Sequence, residues 1–241
     1  MGWYNNYGGY TYTSVADLTA KAKKYILDQR KKGVELSPVE IEGRTITKSW
    51  WGKAWCDNLE RYADYDTRLP RGRRYVKTGA VVDIQINKGK ILARVQGTRK
   101  TPYKVEIRIS PLSEQQIERI TGRCGTKVEK LSKLLSGDFP TELKEVFIGE
   151  DGLFPKSHEI SFNCSCPDWA IMCKHVAAVL YGVGARLDEA PLLFFSLRGV
   201  DTDRFVDVVI TNRCETMLEN IDRPSKRILK NIDLSDVFGI G

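Results

Sequence analysis

Three cysteines and one of the chain's two histidines fall within a dozen residues: Cys164, Cys166, Cys173 and His175. In a reducing compartment such a cluster points to metal or catalysis rather than to disulfides. A structural zinc ion takes four tetrahedral ligands, with sulfur at about 2.3 Å and imidazole nitrogen at about 2.0 to 2.1 Å. Cys164 and Cys166 stand two apart at an expected strand end, where alternate side chains point to one side. Pro167 then turns the chain. Cys173 and His175 are also two apart, and on an ideal helix they would splay by about 200°. Cys173 is therefore expected in the turn before a helix and His175 in its first turn. Val176, Val179, Leu180 and Val183 would bury one face of that helix, and Gly182 or Gly184 would stop it.

All four positions are filled by protein donors, so the cluster reads as a site for one structural Zn2+ with no place left for a reactive water. Three thiolates and a neutral imidazole around a dication carry a formal charge of −1, which Lys174 and the helix N-terminus are placed to offset. Zinc binding to finger peptides is worth roughly 10 to 16 kcal/mol, against about 5 to 15 kcal/mol for the net stability of a domain. Other readings compete with zinc. Buried free cysteines beside a core histidine are one. A Cys164–Cys166 disulfide would close a small, strained ring. A Cys173 nucleophile activated by His175 would leave Cys164 and Cys166 without a purpose. Cys56, Cys124 and Cys214 are scattered and read as buried small apolar residues. His158 reads as a satisfied surface or core histidine rather than a fifth ligand.

Around the cluster the sequence predicts an α+β chain: an antiparallel three-stranded meander packed with helices, then a small strand-turn-helix zinc module, then a helical C-terminal region. The expected units are 1–37 (an aromatic tail and a helix), 38–150 (an α+β domain with a basic face), 151–186 (the finger) and 187–241. Met1 to Thr13, with Trp3, Tyr4, Tyr7, Tyr10 and Tyr12, reads as a mobile tail or a strip that packs onto a partner. Ser14 caps a helix to Lys32 that Gly33 stops, and Ser49 caps a second from Trp50 to Tyr62. Trp50, Trp51 and Trp55 are expected to anchor the core, with a partner site as the minor alternative. Val39 to Thr47 could hold a short strand, and Arg68 to Lys77, broken by Pro70 and Gly72, reads as a loop. Alternating apolar residues mark three strands: Val82, Ile84, Ile86; Ile91, Ala93, Val95; and Val105, Ile107, Ile109. The opposite face would present Asp83, Gln85, Arg94, Gln96, Lys104, Glu106 and Arg108. Ser113 with Gln116 and Thr126 with Glu129 read as helix starts, the second carrying a Val128, Leu131, Leu134, Leu135 stripe. A shorter helix is expected from Thr141 to Phe147, a strand over His158 to Asn163, and helices over Glu189 to Ser196 and Asp201 to Ile210.

Charge is concentrated rather than spread. The chain carries +7 overall, yet Arg68, Arg71, Arg73, Arg74, Lys77, Lys88, Lys90, Arg94, Arg99, Lys100 and Lys104 meet only Asp83 among them, so the remainder is net acidic. A solvated basic face is the plain reading, but a field this local, with no nearby acid to neutralise the Arg68 to Lys77 run, favours phosphate contact. The candidate nucleic-acid residues are Arg68, Arg71, Arg73, Arg74, Lys77, Arg94, Arg99, Lys100 and Lys104. Tyr75 and Tyr103 are too few to argue base stacking. With 41% apolar and 29% charged residues the chain is globular. It lacks an apolar run near 18 residues and a basic-then-apolar leader, so a cytoplasmic location with no membrane partner is expected. The sequence has no Walker-type glycine loop, nucleophile elbow or two-metal carboxylate cluster, which argues against an enzyme and a small-molecule substrate.

The Cys-x-Cys, six-residue gap, Cys-x-His pattern of Cys164, Cys166, Cys173 and His175 resembles the SWIM zinc finger over Ile160 to Gly184. The Trp-Trp-Gly-Lys-Ala-Trp run in Ser49 to Arg61 and the Leu-Pro-Arg-Gly-Arg run in Arg68 to Lys77 resemble prokaryotic SWIM-finger proteins associated with Swi/Snf-class helicase-like ATPases. The resemblance implies DNA binding or protein–protein contact, hence an accessory protein that holds nucleic acid, DNA by preference, and docks such an ATPase. A pure protein adaptor is the alternative, and an undetected DNA-processing enzyme the less favoured one.

Overall fold

The computed structural model describes residues 13–124, 141, 144–149, 152–201 and the positions 207, 211, 214 and 218. The aromatic tail up to Tyr12, the Thr126 and Glu129 helix start with its leucine stripe, most of Asp201 to Ile210, and Ile221 to Gly241 lie outside these residues. Helix α1 spans Val15–Lys31, capped by Ser14, whose hydroxyl accepts from Asp17 N–H; Gly33 follows at φ 75°. Helix α2 spans Trp50–Glu60, with Ser49 Oγ accepting from Gly52 N–H. Both caps satisfy backbone donors that a helix start leaves open, and both were legible in the sequence.

Arg68–Lys77 is helix α3, not a loop. Pro70 sits in its first turn, where the missing N–H has no intrahelical partner to lose. Leu69, Gly72, Tyr75 and Val76 are its buried residues. The apolar stripe is thus real, with a glycine in place of one side chain, and the two supposed breakers concealed it.

Strands β1 (Val81–Asn87), β2 (Lys90–Val95) and β3 (Tyr103–Ile109) form the expected meander, joined at Gly89 with φ 66°. A fourth strand, β4 (Ile160–Cys164), pairs antiparallel with β3, so the sheet order is β1-β2-β3-β4. A single sheet therefore joins the meander to the strand that leads into the cysteines. A register shift between Val81 and Asp83 takes Val82 out of the simple alternation expected for β1. Asp83 and Gln96 are buried, not presented on an open polar face. Asp83 accepts from Ser37 N–H, while Gln96 Nε2 donates to the Gly97 and Arg99 carbonyls. Val39 to Thr47 does not form a strand. Only Ser37 and Val39 touch the β1 edge, through Ile84 N–H to Ser37 O and Val39 N–H to Val81 O.

Helix α4 (Glu114–Cys124) begins at the expected Ser113–Gln116 box, and α5 spans Lys144–Ile148. Helix α6 (Lys174–Glu189) runs through Gly182 and Gly184 instead of stopping there. It packs on the apolar sheet face and receives α2 and α3 on its flanks. Its glycines are notches. A Cβ on Gly184 would lie 2.9 Å from Cys56 Sγ, and one on Gly182 3.1 Å from Val39. Trp55 and Trp51 donate their indole N–H groups to the Leu180 and Leu187 carbonyls of α6, at 3.0 Å each. Trp50 and Trp55 join Phe147, Phe154 and Phe194 in an aromatic cluster, so the tryptophans anchor the core. Helix α7 (Leu193–Leu197) ends at buried Arg198, which pairs with Glu159 at 2.9 Å and donates to Ser110 O. Cys56 is buried as expected, whereas Cys214 is exposed at a helical position. Among the described residues no helix is long and apolar enough to cross a membrane.

The α3–α6 contact is as tight as backbones allow: a Cβ on Gly72 would stand 2.5 Å from Ala177 Cβ and 3.1 Å from its carbonyl carbon. Gly72→Ala should therefore destabilise the fold by about 1 to 3 kcal/mol through overpacking, outweighing the roughly 1 kcal/mol that alanine adds in helix propensity. Ala177→Gly in the same chain should return part of the loss. A denaturation midpoint that stays level or rises in Gly72→Ala would refute this packing.

Candidate metal centre

On the β3–β4 ladder Val105 faces Cys164, so Cys164 shares the apolar sheet face with Val105, Ile107 and Phe162. The pairing continues past the strand end. Ser165 N–H donates to Lys104 O, and Lys104 N–H donates back to Ser165 Oγ. Ser165 is thereby held outward, and Cys166 returns to the side of Cys164. The backbone N–H groups of Cys166 and Asp168 are directed at the sulfurs of Cys164 and Cys166, which favours thiolates.

Cys173 is the residue before α6, with extended backbone at φ −67° and ψ 166°, and His175 is the second residue of the helix. This is the arrangement the two-residue spacing demands. The Nδ1 atom of His175 lies 3.9 Å from the sulfurs of both Cys164 and Cys173. The four ligand atoms all lie within 4.8 Å of one another. With zinc–sulfur bonds of about 2.3 Å, four donors at such separations can share one tetrahedral ion.

The imidazole is oriented by residues outside the finger. Tyr103 of β3 stacks on it at 4.2 Å and 28°, and Tyr75 of α3 meets it edge-on at 5.4 Å. Gly97 lets the β2–β3 loop approach, since a Cβ there would lie 2.5 Å from the Tyr103 ring and 3.4 Å from His175 Nε2. Tyr103 was counted in the sequence only as a sparse aromatic of the basic segment. Its parity with Val105 and Ile107 was the signal that it belongs to the inner face. His158 is exposed at the far end of β4, away from the cluster.

Electrostatics also favour a cation. Hydrogen bonding from Cys164, aided by His175, pulls the Cys173 thiol down to about 4. The same contact with Cys173, then burial, pushes Cys164 up, and burial raises Cys166. One thiolate forms readily, and it resists the second and third until a dication compensates them.

The candidate phosphate ligands separate into two groups. Arg68 pairs with Asp168 at 2.9 Å, and Arg73 pairs with Glu60, which also accepts from Tyr181 Oη. The Arg68 to Lys77 run is therefore not free of nearby acids. Its partners come from α2 and from the finger loop, distant in sequence. Lys77 donates to the Arg44 carbonyl, and Arg94 lies 3.7 Å from Asp83 and 3.4 Å from Tyr25 Oη. By contrast Arg71, Arg99, Lys100 and Lys104 are exposed, whereas Arg74 is half-buried and has interactions of its own. Arg99 lies over Tyr103 at 5.1 Å and Lys174 over Tyr75 at 5.8 Å, while Arg71 and Arg74 act electrostatically on Tyr75. The rings that flank the metal-binding imidazole thus carry cations from α3, α6 and the β2–β3 loop.

Two outcomes follow. Cys173→Ser should abolish stoichiometric zinc and remove hydrogen-exchange protection from residues 164–175, while α6 beyond Val176 stays protected by its core packing; full zinc content would remove Cys173 from the ligand set. Because Cys164 and Cys166 hold their protons at neutral pH without metal, binding releases about two protons, and affinity should rise on the order of 100-fold per pH unit near pH 7. A chelator competition series that shows flat affinity between pH 6 and 8 would contradict this.

The SWIM zinc finger family model matches residues 146–183. An uncharacterized protein of Mycobacterium tuberculosis is 36% identical over 156 residues, which cover 64% of this chain and 56% of the relative. The chain thus spans a little over half the length of the curated relative it matches. No solved structure matches the chain. The strand-turn-helix geometry, the four convergent donors and the family match agree: this chain carries a SWIM zinc finger, whose Cys164, Cys166, Cys173 and His175 cluster fits one zinc ion.

Proposed function

We propose that the protein is a nucleic-acid-binding accessory protein with no catalytic step of its own, working in the cytoplasm beside a Swi/Snf-class helicase-like ATPase. The observation that carries the nucleic-acid reading is the convergence of Arg71, Arg74, Arg99 and Lys174 on Tyr75 and Tyr103, the two rings that hold His175. Lys104, next to the Ser165 knuckle, and Lys100 extend the same field. The metal fixes a strand end and a helix start, and these in turn fix where the cations stand. Zinc performs no chemistry here because protein donors take all its positions. Arg68 and Arg73 hold the fold together through Asp168 and Glu60 and leave the phosphate-binding set. The ATPase partner is supported by the likeness of the Trp-Trp-Gly-Lys-Ala-Trp and Leu-Pro-Arg-Gly-Arg runs to ATPase-associated SWIM proteins. Trp55 is buried and Trp50 and Trp51 are half-buried against the core, so such a partner would rest mainly on other parts of the surface.

If about five phosphates of duplex DNA are engaged, log affinity should fall with log salt at a slope near −4.5. Arg71→Glu, Arg74→Glu and Arg99→Glu together should reduce the slope to about −1.8 while zinc content is kept. Fluorescence anisotropy with the zinc-loaded protein is the test. No binding at low salt would leave a protein adaptor whose basic surface meets an acidic partner.

A further inference from the structure

Residues 168–172 connect the two halves of the metal site, and they alternate strictly. Ala170 and Met172 are buried and Asp168 is half-buried, whereas Trp169 is 76% exposed and Ile171 68% exposed. The loop is braced. Asp64, in the α2–α3 connection, accepts from Ile171 N–H at 2.8 Å and from Met172 N–H at 3.0 Å. Asp168 accepts from Ala170 N–H and pairs with Arg68. Tyr65 stands edge-on to the Trp169 indole at 5.0 Å and 79°. Closing a zinc loop requires no indole at an outward position. This one is held into solvent by hydrogen bonds that fix its backbone on both sides.

Cations border the loop on both sides, and of these Arg71 and Lys174 are the ones placed to meet phosphate, because Asp168 holds Arg68. The Arg68 guanidinium lies 5.8 Å from the Tyr65 ring, and Arg71 is exposed one turn further along α3. Lys174 stands at the other end of the loop, at the start of α6 and over the Tyr75 ring. The carboxylates of Asp64 and Asp168 are already engaged by amides and by Arg68. An exposed, preorganised aromatic bordered by cations suits an unpaired base, whose π-face is free to stack and whose phosphates meet the charges. In a duplex those faces are covered by neighbouring bases.

We infer that Trp169 is a stacking platform for an unpaired base, so that the surface around the finger takes single-stranded nucleic acid in preference to duplex. This rests on the nucleic-acid reading given above. Ile171, two residues on and also exposed, adds apolar surface near the platform.

The test uses the zinc-loaded full chain with a labelled oligo-dT single strand and a labelled duplex of equal length. Wild type should bind the single strand more tightly. Trp169→Ala should weaken single-strand binding on the order of 5- to 100-fold and change duplex binding much less, and Trp169→Phe should recover most of the loss. Retained zinc stoichiometry in both variants shows that the finger is intact. Equal affinity of wild type for both probes, or an unchanged single-strand affinity in Trp169→Ala, would overturn the inference. Either result leaves phosphate binding standing. Failure of wild type to bind either probe would remove the nucleic-acid reading itself, and this inference with it.

Discussion

Four soft donors have to meet within one coordination shell, and they come from a strand end and a helix start. Neither element could hold that geometry alone. β4 is placed by its ladder to β3, and α6 by the sheet face below it and by α2 and α3 beside it. The meeting of Cys164, Cys166, Cys173 and His175 is thus the corner at which the whole fold closes. Three thiolates there would repel one another strongly, so the cation compensates a charge that the fold has concentrated.

The central helix shows how this closeness is achieved. α6 is buried along nearly its whole length, and glycines at its contacts let neighbouring backbones approach: Gly72 on α3 meets Ala177, and Gly184 meets Cys56 and Trp55. α3 then brings Tyr75 to one side of His175 while β3 brings Tyr103 to the other. The finger's histidine is oriented by residues about 70 to 100 positions upstream. The zinc site is better described as the end of the sheet than as an appended module.

The same folding sorts the positive charge. Arginines that look equivalent in the chain differ once partners arrive from elsewhere: Asp168 takes Arg68 and Glu60 takes Arg73, whereas Arg71 and Arg99 face water around the ring stack. Local charge density marks a basic region without telling which of its residues are ion-paired, because ion pairing depends on distance in space.

Spacing alone fixed the ligand set and even the placement of Cys173 before the helix, since two residues apart on an α-helix cannot face one ion. Helix caps at Ser14, Ser49 and Ser113 and the three meander strands were likewise legible, because caps and alternation are local chemistry. The helical state of Arg68–Lys77, the continuation of α6 through its glycines, the burial of Asp83 and the pairing of β4 with β3 were decided only by tertiary structure. Gly72, Gly184 and Asp83 are unfavourable locally and are made favourable by neighbours far away in sequence, while the position of Pro70 in its helix decides its case. Pro70 loses no hydrogen bond in a first turn, Gly72 and Gly184 exchange propensity for close packing, and Asp83 finds an amide donor on Ser37. Sequence reports what a residue prefers by itself, and packing determines which preferences are overridden.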